Sequence, residues 1–225
     1  RAGMAAVWID DGLPEGIEPL EALDVDTKRR ATGAIRDAFR DVTRTLPSGG
    51  KLSADAIAEM SEVADLIVRD VTRNVHTALA LNDLANADGY TLKHSLAVTT
   101  VGLALGLRVM RKYGWIDVDG KRRYDCGNGR MSALGVGLLL HDIGKLAVPA
   151  TILQKPGPLD DEEWQAMRSH PLLGVQIHKK ADGISPLARA VVRSHHERWN
   201  GSGYPDGQAQ VDIHQFARIA AVADV

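Results

Sequence analysis

The chain has 225 residues, of which 44% are hydrophobic and 25% charged, with a formal net charge of −2. Such a composition describes a globular protein of one large domain, or one domain with a smaller helical attachment, and the near-neutral charge excludes a general polyanion-binding surface, so no nucleic-acid polymer is expected as a partner. Cys126 is the single cysteine, which excludes an intrachain disulfide and suits a reducing cytoplasm; no apolar run approaches the roughly 18 residues needed for a membrane span.

Aromatic residues make up only 4% of the chain, so the core must come from Leu, Ala, Val and Ile. Residues 1–19 hold three glycines and two prolines and read as a linker or tail, with Arg1 in first place marking a piece of something longer. From Glu21 to about Leu46, apolar residues among charges predict a helix, broken by Pro47-Ser48-Gly49-Gly50. A second helix is expected from Ser53, a good N-cap, because Ile57, Met60, Ala64, Ile67, Val68, Val71 and Val75 recur at helical spacing. Residues 20–86 thus form a helical region, either a hairpin packed on the main domain or an arm for a homodimer; the amphipathic pattern favours packing.

Thr91 to Arg111 is nearly continuous in apolar residues and predicts a buried helix. Trp115 to Arg130, with Asp119-Gly120 between short alternating runs, reads as a small β-hairpin or loop insertion. Helix is expected again over Met131–Ile143, stopped by Gly144, and over Asp160–Ser169. Pro171 and Pro186 suit the first positions of two further helices, and a last helix includes Phe216–Ala223. Helices with almost no strand signal predict an all-α bundle.

The histidines carry the chemistry. His141-Asp142 closes the apolar run Gly135–Leu140, where two adjacent titratable groups are costly to bury unless something satisfies them. A divalent metal meets that need with imidazole and carboxylate ligands. His195 and His196 each follow a valine by four residues, so both continue an apolar edge. Asp224 closes another apolar run, Ile219–Ala223. With His94 and His170 these make five histidines and two aspartates, too many for one ion and suited to two ions sharing a carboxylate. His76, His178 and His214 lack such company; the lysines flanking His178 mark it as part of a solvated face.

These residues fall in ordered motifs. His141-Asp142-Ile143-Gly144-Lys145 resembles the HD signature of metal-dependent phosphohydrolases. His195-His196-Glu197-Arg198-Trp199-Asn200-Gly201-Ser202-Gly203-Tyr204-Pro205 resembles the second signature of the HD-GYP family, and the framework around His94, Pro149–Gly157 and His170–Gly174 is similar too. The resemblance covers about residues 87–225 and implies an HD-domain helical bundle, C-terminally incomplete because the family continues past Val225. It implies a cytoplasmic cyclic di-GMP phosphodiesterase, in which a hydroxide bridging two metal ions opens the 3′-5′ phosphodiester to give linear pGpG and in some members GMP.

By the same resemblance the metal ligands are His94, His141, Asp142, His170, His195, His196 and Asp224. Asp142 bridges an ion on His94, His141 and Asp224 and another on His170, His195 and His196. Iron is the expected metal, with manganese the alternative. Tyr90 stands where some members carry a third-metal glutamate, so two ions are expected. Lys145 by position alone is a surface lysine at a helix end; the resemblance makes it a catalytic residue, holding a phosphate oxygen or assisting the departing 3′-oxygen. Gly203, Tyr204 and Pro205 read alone as a turn; in the family their loop borders the substrate and is linked to docking on GGDEF-type cyclase domains. Asn200 departs from the aspartate usual in that loop. Two other readings stand beside this one: an HD-type hydrolase of another cyclic dinucleotide or nucleotide, and a non-catalytic cyclic di-GMP sensing or docking module.

Overall fold

A computed structural model describes residues 23–73, 90–116, 121–124, 127–181 and 183–224; the expected linker over 1–19, with His76 and Cys126, lies outside them. The protein is helical: α1 Val25–Thr45, α2 Ala54–Arg73, α3 Tyr90–Tyr113, α4 Asn128–Leu139, α5 Ala150–Leu153, α6 Asp161–Met167, α7 His170–Lys179, α8 Pro186–Ser194 and α9 Gln215–Ala223. The insertion after α3 is a hairpin of β1 Trp115–Ile116 and β2 Arg122–Arg123, antiparallel, with Trp115 opposite Arg123. Among the described residues, no helix is long and apolar enough to cross a membrane.

Local chemistry sets the helix ends. Asp24 caps α1 by accepting from the Asp26 N–H at 2.8 Å. Ser53 accepts from the Ala56 N–H at 3.2 Å at the start of α2. Asp160 and Glu163 form a reciprocal capping box on α6, both bonds 2.9 Å long. Ser185 caps α8, whose first residue is Pro186.

α1 and α2 form the hairpin expected of the N-terminal region, and its apolar face is used inside the chain. Ile57, Met60, Val63, Ala64, Ile67 and Val71 of α2 are buried, and α2 packs against α4. Fully burying each large aliphatic side chain contributes about 1.5–3 kcal/mol, which is why an amphipathic hairpin docks on the domain. α4 is the central helix, packed on α2, α3 and α8. Its Gly135 meets Ala64 of α2 and its Gly137 meets Val191 of α8, so the absence of a Cβ lets both helices approach closely. This economy of side-chain volume answers the shortage of aromatic residues.

Two expectations are corrected here. α4 does not run to Ile143 and stop at Gly144. It ends at Leu139, and after a turn through His141 and Asp142 a 3₁₀ segment, Ile143–Ala147, passes through Gly144. Gly144 is required by contact: a Cβ there would collide with the His170 carbonyl oxygen and sit 2.5 Å from the Gly174 nitrogen, both backbone atoms of α7.

His178 is not on a solvated face. It is buried, because it lies on the same helical row of α7 as His170 and Gly174, both also buried, while its lysine neighbours point away. Neither of its ring nitrogens has a hydrogen-bond partner. Burial, helped by Arg189, pushes its pKa down to about 4. The group is therefore neutral when folded but titrates near 6.5 when unfolded. The unfolded state binds the extra proton between those values, so the contribution is intact above pH 6.5 and is lost as pH falls towards 4. His178→Leu should gain on the parent protein by about 2 kcal/mol between pH 7 and pH 5. Denaturant melts at the two pH values check this, and a gap that does not change with pH would contradict it.

Candidate metal centre

The seven residues singled out from the sequence come together at one end of the bundle. His94 comes from α3, His141 and Asp142 from the turn after α4, His170 from the start of α7, His195 and His196 from the end of α8, and Asp224 from the end of α9. Because His141 and Asp142 occupy a turn, their side chains converge although they are adjacent: His141 Nε2 lies 3.4 Å from Asp142 Oδ2. On the same side, Asp224 Oδ1 lies 2.9 Å from His94 Nε2 and 3.6 Å from His141 Nε2. On the other, Asp142 Oδ1 lies 3.3 Å from His170 Nε2 and 3.9 Å from His195 Nε2. His196 presents Nδ1 3.9 Å from Asp224 Oδ2. Two groups of ligand atoms lie close enough to hold a metal ion, His94–His141–Asp142 and Asp142–His170–His195–His196, and Asp142 belongs to both.

The backbone fixes which nitrogens face inward. His141 Nδ1 lies 2.7 Å from the Leu138 carbonyl, His170 Nδ1 2.9 Å from Met167 and His195 Nδ1 3.0 Å from Val192. A carbonyl only accepts, so each Nδ1 carries a proton, and the Nε2 atoms of His170 and His195, whose rings stay neutral, present lone pairs to the centre. This is the arrangement in which a second partner orients a metal-binding imidazole. Its consequence is unfavourable without a cation: the Nε2 atoms of His170 and His195 face one another at 3.3 Å, and the buried His141 Nε2 and Asp142 Oδ1 have no hydrogen-bond partner. Orphaned buried polar atoms of this kind call for an ion, and the nitrogen–carboxylate donor set fits a divalent one, which would displace the proton held on His141.

Charge follows the same plan. Burial drives His195 well below the ordinary imidazole range, with His141 and His196 adding to it, and drives His196 down to about 4, with His170 adding. Burial also lowers His170, so these three stay neutral at pH 7, the form that binds metal. Burial opposes charge on His141 too, but Asp142 and Asp224 outweigh it and push its pKa up to about 10. Asp142, despite the same burial, is held well below the carboxylate range by His141 and Lys145. Lys145 Nζ reaches Asp142 Oδ2 at 2.6 Å while remaining 35% exposed. The centre opens towards solvent at His94 and His196, which are 26% and 21% exposed, whereas His141, His170 and His195 are sealed.

The Gly203–Pro205 loop forms one wall. The Tyr204 ring stacks on His196 with centroids 4.7 Å apart. Burial and Asp142 push its hydroxyl pKa up to about 12, so the phenol stays protonated. Gly203 admits the tight return of this loop, since a Cβ there would lie 2.5 Å from Glu197 Cα and from the His196 carbonyl. Glu197 is buried and accepts from the Asp206 N–H at 2.8 Å, and Arg193 grips Asp206 with two 2.7 Å bonds. Asn200 Oδ1 accepts from the Ser202 N–H and hydroxyl, an acceptor role that either aspartate or asparagine fills. Arg168, which the motifs did not single out, lies with its guanidinium 4.7 Å over the Tyr204 ring. A separate cavity of about 850 Å³ lies between α3, α9 and the hairpin, and none of the seven residues lines it.

Comparison with known proteins agrees with this architecture. Residues 125–225 match the HD domain family. The chain is 36% identical over 228 residues to a cyclic di-GMP phosphodiesterase of Pseudomonas aeruginosa, covering 98% of this chain and 50% of that protein. It is 45% identical over 87 residues to the 3′3′-cGAMP-specific phosphodiesterase 2 of Vibrio cholerae, covering 38% of this chain and 17% of that protein. The chain thus spans about half the length of the first relative and less of the second. A solved HDG"Y"P protein from Bdellovibrio bacteriovorus has the same fold, with a TM-score of 0.64 at 19% identity, over 88% of this chain and 57% of that one. The chain thus carries an HD-domain match over its C-terminal part and shares its fold with an HD-domain protein, and its likeness to a cyclic di-GMP phosphodiesterase extends over the N-terminal helices as well.

Proposed function

We propose that this chain is a metal-dependent phosphodiesterase that opens cyclic di-GMP to linear pGpG. The observation that carries the reading is the shared position of Asp142, whose two oxygens face two separate sets of imidazole nitrogens. In this reading His94, His141 and Asp224 would hold one ion and His170, His195 and His196 the other, with Asp142 shared between them. Iron, with manganese as the alternative, suits a set of imidazoles and carboxylates. When bound, such a pair supplies Lewis acidity, lowering the pKa of water to about 7 and offsetting charge on phosphoryl oxygens.

The chain's own residues do the rest. The neutral imidazoles and low-pKa carboxylates present lone pairs rather than protons to the centre. The buried floor excludes water on the side of His141, His170 and His195. We assign Lys145, partly exposed beside Asp142, to steady a phosphate oxygen or to give a proton to the departing 3′-oxygen. Tyr204, stacked on His196, walls the site so that its edge borders the substrate, with Gly203 and Pro205 shaping the loop.

A second substrate has support from one observation: the 45% identity to a 3′3′-cGAMP-specific enzyme falls on 38% of this chain. Both dinucleotides should therefore be incubated in parallel with purified protein and Fe(II) or Mn(II), and the products separated by chromatography. The reading expects pGpG from cyclic di-GMP, abolished by chelation. Faster cleavage of the hybrid dinucleotide would transfer the assignment to it, and no product from either would sink the phosphodiesterase reading.

A further inference from the structure

A cyclic dinucleotide carries two phosphodiesters, and only one can be attacked at a time. The other keeps its negative charge away from the groups that hold the phosphate under attack, so a cation of the protein beside the centre would serve to hold it. Lys145, beside Asp142 at 2.6 Å, is already assigned to the phosphate under attack. Arg168 is differently placed. It caps the C-terminus of α6, two residues before His170, and is partly exposed. Its Cζ sits 4.7 Å over the Tyr204 ring, and that ring stacks on His196. The guanidinium is thus two stacking layers from a residue of the centre, and no carboxylate among the described residues pairs with it.

The ring also places it. A guanidinium over an aromatic ring keeps N–H donors that can engage a phosphate with two parallel bonds. A lysine in that place would offer charge without the fork. We propose that Arg168 is a substrate-binding residue that holds the phosphate not undergoing attack, and so favours substrates with two phosphodiesters over those with one. This rests on the cyclic dinucleotide reading above.

Two measurements test it. Calorimetric titration of chelator-treated protein with cyclic di-GMP reads affinity without turnover, and the kinetics of Mn(II)-loaded protein read KM, each over a salt series. Arg168→Ala should weaken binding and raise KM at least tenfold, with kcat changed little. Its dependence of log affinity on log salt should flatten by about one phosphate contact. Arg168→Lys should restore the salt dependence but only part of the affinity. Hydrolysis of bis(p-nitrophenyl) phosphate, which has a single phosphodiester, should keep its parental KM in both variants. Arg198→Ala, which removes an exposed cation of the neighbouring loop, controls for general charge. Parental KM and salt slope in Arg168→Ala, or an equal effect of Arg198→Ala, would overturn this inference alone. A parent protein that neither binds nor cleaves cyclic di-GMP would overturn the substrate reading, and this inference with it.

Discussion

Asp142→Asn is expected to lower turnover of cyclic di-GMP by on the order of 10³-fold or more, equivalent to about 4 kcal/mol of transition-state stabilisation, and to reduce bound metal below two ions per chain. The substitution keeps size and shape but removes the charge. Asp142 belongs to both groups of ligand atoms, through Oδ2 to His141 and Oδ1 to His170, so its loss affects both ions where loss of any histidine affects one. It also ends the pairing with Lys145 and removes the carboxylate that raises His141. The His141 pKa then falls, since burial alone disfavours its charged form. Elemental analysis with single-turnover kinetics checks both parts. Turnover retained within tenfold of the parent would remove Asp142 from the bridging position.

Gly144→Ala is expected to destabilise the protein by on the order of 3 kcal/mol, lowering the melting temperature by roughly 6–12 °C for a chain of this size. The added methyl group cannot rotate away, because it meets the carbonyl of His170 and the nitrogen of Gly174, which are backbone atoms of α7. Relief requires that α7 move, and α7 carries His170 into the centre. Metal affinity should therefore fall along with stability, although Gly144 touches no metal-facing atom. Gly33→Ala is the natural comparison. Gly33 lies inside α1 and has open space where a Cβ would go, so the same substitution should stabilise by about 0.5–1 kcal/mol. Thermal melts of the two variants side by side separate steric collision from ordinary glycine flexibility; equal stability would contradict the packing described for Gly144.

What could be read in the sequence was what repeats or sits at an unlikely place. The apolar rows of α2 mark a helix because they recur at fixed spacing, and Ser53, Pro171 and Pro186 mark helix starts because their chemistry suits those positions. His141-Asp142 and Asp224 stood out because each closes an apolar run. His141 and Asp142 were expected to meet at one site, but the turn that lets them meet was not legible, because a continuous helix through Ile143 would have splayed them and only the early end of α4 brings them together. His178 was misread because lysines follow it in sequence, whereas its row on α7 is decided by Gly174 and His170. Arg168 was invisible for another reason: its partner Tyr204 lies on a distant loop, and no local pattern records a stacking contact between them. The role of Gly144 was hidden in the same way, since the atoms it must avoid belong to α7.

The most direct test of the central claim is metal stoichiometry measured together with activity. The metal-free chain is titrated with Mn(II) or Fe(II), and bound ion and rate of pGpG formation are followed in the same samples. Saturation is expected at two ions per chain, with hydrolysis rising as the second is bound and vanishing on chelation. Saturation at one ion with full activity, or two bound ions with no cleavage of either cyclic dinucleotide, would contradict it.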